Sequence, residues 1–109
     1  MKIDNTAAQM RKGILELCIL GILAKKEAYP SDIIEGLHSS GLVVVEGTVY
    51  PLLTRLKNAE ILGYRWEEST SGPPRKYYHV TATGKTFYQD LLNHWNTLQA
   101  AVTNSTKSK

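Results

Sequence analysis

In the stretch Glu46-Gly47-Thr48-Val49-Tyr50-Pro51-Leu52-Leu53-Thr54-Arg55-Leu56, the apolar side chains Val49, Leu52, Leu53 and Leu56 recur at i, i+3, i+4 and i+7, the spacing that lines up one face of a helix. Pro51 has no N–H to donate and is tolerated in a first helical turn, so the pattern predicts a helix that starts near Thr48 and stops by Gly63. Thr48, Tyr50, Pro51, Thr54, Arg55 and Asn58 fall on the remaining surface. Thr and Asn can reach base edges or phosphates, Arg can donate two parallel hydrogen bonds, and Tyr carries a hydroxyl on a rigid ring. With its other face in a core, such a helix fits a DNA major groove about 12 Å wide. A solvated polar face has the same pattern, so the setting in the chain has to decide between the two.

Upstream, Val43-Val44-Val45 is β-branched and brief, the composition of a short strand. Before it, Pro30 sits where a first helical residue should, Ile33, Ile34 and Leu37 make one apolar face, and Gly41 can take the left-handed conformation that ends a helix. Lys25-Lys26-Glu27 is a turn, preceded by a long helix to about Ala24. Thr6 and Gln9 at its start have the spacing of a capping box. Ile14, Leu15, Leu17, Cys18, Ile19, Leu20, Ile22 and Leu23 cover nearly its whole circumference, which predicts burial on several sides. In so small a chain one of those sides fits a second subunit.

Downstream, Tyr64–Glu68 and Arg75–Val80 read as aromatic-rich strands around a six-residue, turn-rich tip, Ser69-Thr70-Ser71-Gly72-Pro73-Pro74. Thr81 can cap a last helix that carries Phe87, Tyr88, Leu91, Leu92, Trp95, Leu98 and Val102. The tail from Asn104 to Lys109 is polar and expected to fray. The fold class is therefore mainly α with a small β-hairpin: a winged helix-turn-helix over residues 1–80, then a C-terminal dimerisation helix over 81–103 and a disordered tail over 104–109.

Three segments, in order, resemble the PadR family of bacterial transcriptional regulators. Arg11-Lys12-Gly13-Ile14-Leu15-Glu16-Leu17 resembles the family's opening, Glu46 to Leu56 its recognition-helix signature, and Gly72-Pro73-Pro74-Arg75-Lys76-Tyr77-Tyr78-His79-Val80-Thr81 its wing. Gly84 sits where the family's last helix usually has glycine. The resemblance covers roughly residues 10–100, and with one helix after the wing the chain is similar to the short subfamily. It implies a cytoplasmic homodimer that binds double-stranded DNA at a palindromic operator, acts as a repressor and is released by a small-molecule effector. Two readings from other classes stay open at this point: a winged-helix module that binds proteins, and a small-molecule-binding dimer without specific DNA binding.

Within that frame the candidate DNA-binding residues are Thr48, Tyr50, Pro51, Thr54, Arg55 and Asn58, with Arg75 and Lys76 at the wing. Paired cations after a Gly-Pro-Pro turn suit phosphate contact or entry into the minor groove; on an edge strand they also discourage strand pairing. Arg11 and Lys12 offer a further phosphate contact or a solvated helix end. The rings of Tyr64, Trp66, Tyr77 and Tyr78 are expected mainly to fill core, because a bare hairpin is unstable in water. Tyr88, Leu91, Trp95, Leu98 and Val102, spaced 3, 4, 3 and 4 apart, form an a/d seam for a dimer interface shared with the first helix. Trp95 would lie near the two-fold axis. By resemblance to short PadR-like regulators it is a candidate effector site, two indoles sandwiching a planar aromatic molecule; simple interface packing is the alternative.

Composition narrows the rest. The chain's 109 residues leave room for one core. A net charge of +3 is a basic lean, compatible with a nucleic-acid partner. The single cysteine, Cys18, excludes a disulfide within the chain and points to a reducing compartment. Ile14–Leu23 is too short for a bilayer core that needs roughly 20 residues, and no signal-peptide pattern opens the chain. His38, His79 and His94 have no partner at a ligand-like spacing. With no phosphate loop or nucleophile elbow either, no enzyme activity, metal or cofactor is expected.

Overall fold

The computed structural model describes residues 2–108. Its elements are α1 (Ile3–Lys25), α2 (Pro30–Ser39), α3 (Glu46–Asn58), β1 (Leu62–Ser69), β2 (Gly72–Val80) and α4 (Ala82–Thr106). Three helices and the hairpin share one core: Ile19, Leu20 and Leu23 from α1, Ile33 and Leu37 from α2, Val49, Leu53 and Leu56 from α3, and Ile61, Leu62 and Tyr78 around the hairpin base. The apolar positions read from the α3 sequence are thus the ones that hold it down. The chain between α1 and α2 joins the sheet at one point, where Ala28 and Tyr78 exchange backbone hydrogen bonds of 3.1 and 2.9 Å.

Both helices of the helix-turn-helix end by the same device. Gly41 has φ 103°, and the N–H groups of Gly41 and Leu42 donate to the carbonyls of His38 and Leu37. At the end of α3, Glu60 takes φ 63°, and the N–H groups of Glu60 and Ile61 donate to Lys57 and Leu56. These are Schellman closures, which satisfy carbonyls left over at a helix end. The second one stops α3 at Asn58, within the limit of Gly63 expected, because turning the chain at Glu60 sends Ile61 and Leu62 into the core.

Four local expectations are corrected. α1 begins at Ile3, with Lys2 as its N-cap, so Thr6 lies inside the helix and caps nothing; no breaker precedes Thr6, and Asp4 favours the first turn through the helix dipole. Val43–Val45 is extended but unpaired, since no strand lies beside it, and Val43 and Val45 are exposed. The His38 ring donates from Nε2 to the Val44 carbonyl at 3.0 Å instead. α3 starts at Glu46, so Pro51 sits at its sixth position; the carbonyl it leaves unbonded belongs to exposed Gly47. The hairpin tip is a two-residue turn, Thr70-Ser71, and Pro73 and Pro74 lie in β2 where the ladder is irregular between Glu67 and Ser69, a place that tolerates a residue without an N–H.

α4 is fixed at its start and free at its end. Thr81 caps it as expected, its Oγ1 accepting from the Gly84 N–H at 2.9 Å. The same hydroxyl donates to the Glu60 carbonyl at 2.6 Å, and the Thr81 N–H reaches the Ile61 carbonyl at 3.1 Å. Gly84 is required there: a Cβ on it would lie 2.0 Å from the Ile61 oxygen. Tyr88 and Leu91 pack against the core from outside, and beyond them the helix leaves the body. It continues to Thr106, so residues 104–106 of the expected tail are helical, with the Ser105 and Thr106 hydroxyls bonded back to the Val102 carbonyl; Lys109 lies outside the described residues.

Two substitutions at this corner are expected to act in opposite directions. Gly84→Ala should cost at least about 3 kcal/mol, since the methyl group meets backbone that cannot yield. Glu60→Gly should gain roughly 1 kcal/mol by relieving a left-handed non-glycine residue. Urea unfolding of the three proteins checks both signs.

Candidate nucleic-acid interface

The face of α3 opposite Val49, Leu53 and Leu56 has Gly47, Pro51, Thr54 and Asn58 along its centre, at intervals of 4, 3 and 4 residues. All four are exposed. Tyr50, 46% exposed, flanks this line on the hairpin side. Thr48 and Arg55 flank it on the α1 side, and they are held differently. Thr48 is half-buried in a groove shared with Arg11 and Lys12. Arg55 Nη1 lies 3.1 Å from Glu16 Oε1 of α1, and the Glu16 side chain is only 18% exposed. Asn58 lies at the other end, near Lys57 and the start of α4. The six α3 candidates therefore do not form one cluster: Tyr50 and Thr54 share a cleft with the hairpin, Pro51 stays on the centre line, Thr48 and Arg55 lie toward α1, and Asn58 lies near α4.

That cleft, of about 420 Å³, runs between α3, the first turn of α2 and the outer hairpin. Tyr29, Tyr50, Trp66 and Tyr78 supply its rings, Thr54 a hydroxyl, and Arg75 and Lys76 its positive charge. The structure thus brings both wing cations to the same cleft as two residues of α3. Each cation lies over aromatic rings: Arg75 is 3.8 Å from the Tyr29 centroid, and Lys76 is 4.7 Å from Tyr64 and 5.7 Å from Trp66. Among the described residues no carboxylate lies within salt-bridge distance of Arg75 or Lys76; the ion pairs there are Arg55–Glu16, Arg65–Glu27 and Arg65–Glu67. Both cations are therefore left outside any ion pair beside exposed aromatic surface, with Glu67, the cross-strand neighbour of Arg75, taken by Arg65.

The hairpin rings divide as a half-buried ribbon requires, with one departure. Tyr78 is 3% exposed and Tyr64 packs against the core, so these two fill it. Burial pushes the Tyr78 phenol above its ordinary range, with Tyr64 and Tyr50 adding to the rise. Trp66, on the same face of β1 as Tyr64, is 62% exposed, because the ribbon has left the body by that point. Sequence reasoning misses Trp66 as a site residue. The signal that could find it is strand length, since a core-facing alternation cannot stay covered once a two-stranded ribbon outruns its support.

Elsewhere, burial raises the pKa of the Cys18 thiol, which keeps it protonated and a poor nucleophile. Among the described residues no three His, Cys, Asp or Glu side chains are grouped to hold a metal ion, and no helix is long and apolar enough to cross a membrane. On α4, Tyr88, Leu91 and Trp95 are half-buried, whereas Leu98 and Val102 are 60% and 59% exposed. Ile3 and Met10 on the outer half of α1 are exposed as well.

Comparison with known proteins agrees with this architecture. The transcriptional regulator PadR-like family profile matches residues 19–90. The structure of a PadR-like transcription factor from Bacteroides fragilis is 53% identical, with a TM-score of 0.78 over 94% of this chain and 99% of that one. A PadR-like transcriptional regulator from Bacillus cereus is 34% identical, with a TM-score of 0.83 over 93% and 99% of the two chains. Bacillus subtilis PadR, solved in complex with operator DNA, is 26% identical with a TM-score of 0.67, over 72% of this chain and 46% of that one.

If the cleft meets DNA, Trp66 reports it. In a Trp95→Phe background, saturating duplex should shift or quench Trp66 emission; an unchanged spectrum with duplex bound would place the cleft outside the interface.

Proposed function

The chain belongs to the transcriptional regulator PadR-like family, a family of regulators and not of enzymes, and from that premise we propose a homodimeric repressor that occupies a palindromic operator. The observation that carries the DNA reading is the cleft between α3 and the hairpin, where Arg75 and Lys76, neither of them in an ion pair, line the same space as Tyr50 and Thr54. In this reading the exposed face of α3, with Thr48, Tyr50, Pro51, Thr54, Arg55 and Asn58, enters the major groove. Arg75 and Lys76 neutralise phosphates or reach the flanking minor groove. Arg55 contributes at the cost of its link to Glu16, so its role is the more conditional one.

The dimer follows from what the single chain leaves uncovered. Leu98 and Val102 on α4, and Ile3 and Met10 on α1, are large apolar side chains standing in solvent. The α4 set continues the half-buried Tyr88, Leu91 and Trp95 at a/d spacing, so a second copy seated on it completes the stripe. The division of labour is then residues 1–80 for DNA and 81–103 for pairing. Two recognition helices about 34 Å apart would meet successive major grooves and exclude polymerase from the site, in the cytoplasm. Trp95 and its two-fold mate would face each other near the axis, and a planar aromatic or cationic molecule between them would shift the angle between subunits and release the operator.

Three experiments test this reading. In mobility shifts on the duplex upstream of its own gene, Arg75→Ala/Lys76→Ala should weaken binding to all duplexes and flatten the salt slope by up to about two. Substitutions at Thr54 should instead change sequence preference by about 1–3 kcal/mol per base contact; a double variant as tight as wild type at every salt concentration refutes the wing assignment. In sedimentation, wild type should run as a dimer at micromolar concentration and Leu98→Asp as a folded monomer, since Leu98 is exposed in the single chain. Planar aromatic cations should quench Trp95 of a Trp66→Phe dimer and not of that monomer.

A further inference from the structure

Four side chains from two parts of the fold stack in sequence between the body and the hairpin. The Arg65 guanidinium lies 4.8 Å over the Tyr77 ring, Tyr77 lies 4.8 Å from Tyr29 at an interplanar angle of 57°, and Arg75 covers Tyr29 at 3.8 Å. We propose that Tyr29 is a positioning residue for DNA binding, its ring seating the Arg75 guanidinium so that the hairpin presents this charge at a fixed place. The proposal deepens the DNA reading above and rests on it.

The two ends of the stack differ in charge. Arg65 is compensated twice, by Glu27 at 3.0 Å and by Glu67, so its guanidinium anchors the hairpin and offers no free charge. Arg75 has no carboxylate within salt-bridge distance and no hydrogen-bond partner among the described residues, since Glu67, its cross-strand neighbour, is taken by Arg65, and it is exposed. An aromatic ring attracts the face of a guanidinium and uses none of its five N–H donors. Arg75 can therefore be held by Tyr29 and still offer its full donor fork to a phosphate.

Tyr29 is suited to the task because its backbone is fixed independently of its ring. Its N–H donates to Asp32 Oδ2 at 3.2 Å and its carbonyl accepts from Ile33 at 3.1 Å, which together set the start of α2. The preceding residue, Ala28, is bonded twice to Tyr78 of β2. Arg75, by contrast, is the last residue of β2 in regular register before the ladder becomes irregular toward the turn. A two-stranded ribbon is marginal by itself, so a cation placed there needs a hold on the body, and the Tyr29 ring provides it.

The test uses full-length protein, one duplex and a salt titration. Tyr29→Leu keeps the backbone bonds that start α2 and removes the ring; it should weaken binding about three- to fivefold and lower the salt slope by up to about one. Tyr29→Phe should restore both, since the hydroxyl is not used, and in an Arg75→Ala background Tyr29→Leu should cause no further loss. An equal loss with and without Arg75, or no rescue by Phe, overturns the positioning role while leaving DNA binding intact. A wild-type protein that retains no duplex at any salt overturns the DNA reading and this proposal together. Should Tyr29→Leu lose its cooperative thermal melt, Tyr29→Met makes the same comparison.

Discussion

The Ile61 carbonyl is where this fold is tied. It accepts from the N–H of Thr81 at 3.1 Å, and the Thr81 hydroxyl spans the Ile61 and Glu60 oxygens. One short segment thus receives the end of α3, launches β1, and holds both the end of β2 and the start of α4. The closeness is only available because residue 84 has no side chain. A buried backbone carbonyl must find donors or cost a desolvation penalty of about 1–3 kcal/mol. Here the donors come from the residue that begins the last helix, so satisfying one oxygen also orders four elements.

Features set by residues close together along the chain are legible in the amino-acid order alone. Pro30 and Gly41 bracket α2 because each fixes or permits a backbone conformation by itself. Thr81 caps α4 through a residue three positions on, and Val49, Leu53 and Leu56 find the core because a helix has only one face to give. What is not legible depends on distant partners. Val43–Val45 has strand composition, yet a strand exists only beside another strand. The tether of Arg55 joins residues 39 positions apart, and nothing local to α3 marks Glu16 as its partner. The exposure of Trp66 depends on where the body ends under the hairpin, which alternation along β1 does not encode.

The α3 surface also differs from what its composition first implies. Of the four residues on its centre line, Gly47 has no side chain and Pro51 has neither a polar atom nor an N–H, which leaves Thr54 and Asn58 as polar side chains there. A Cβ at Gly47 would meet nothing within 4 Å, so the space left by its missing side chain lies on the outside of the helix and is not needed for packing. A surface so lean lets another molecule approach the α3 backbone closely, and the longer polar side chains, Tyr50 and Arg55, stand at its margins.

The length of α4 gives the corner at Ile61 a mechanical meaning. The helix has 25 residues and so is roughly 37 Å long at 1.5 Å per residue, within a molecule whose longest extent is 59 Å. It is gripped over its first half, from the cap at Thr81 and Gly84 to Tyr88 and Leu91 on the core and half-buried Trp95. The rest is a lever about 16 Å long from Trp95 to Thr106, for which a tilt of about 10° moves the tip by roughly 3 Å. Taken in the other direction, a displacement of a few ångströms at the exposed tip arrives at the gripped half as a small torque, carried through Thr81 to the Glu60–Ile61 segment, which is also the C-terminal closure of α3.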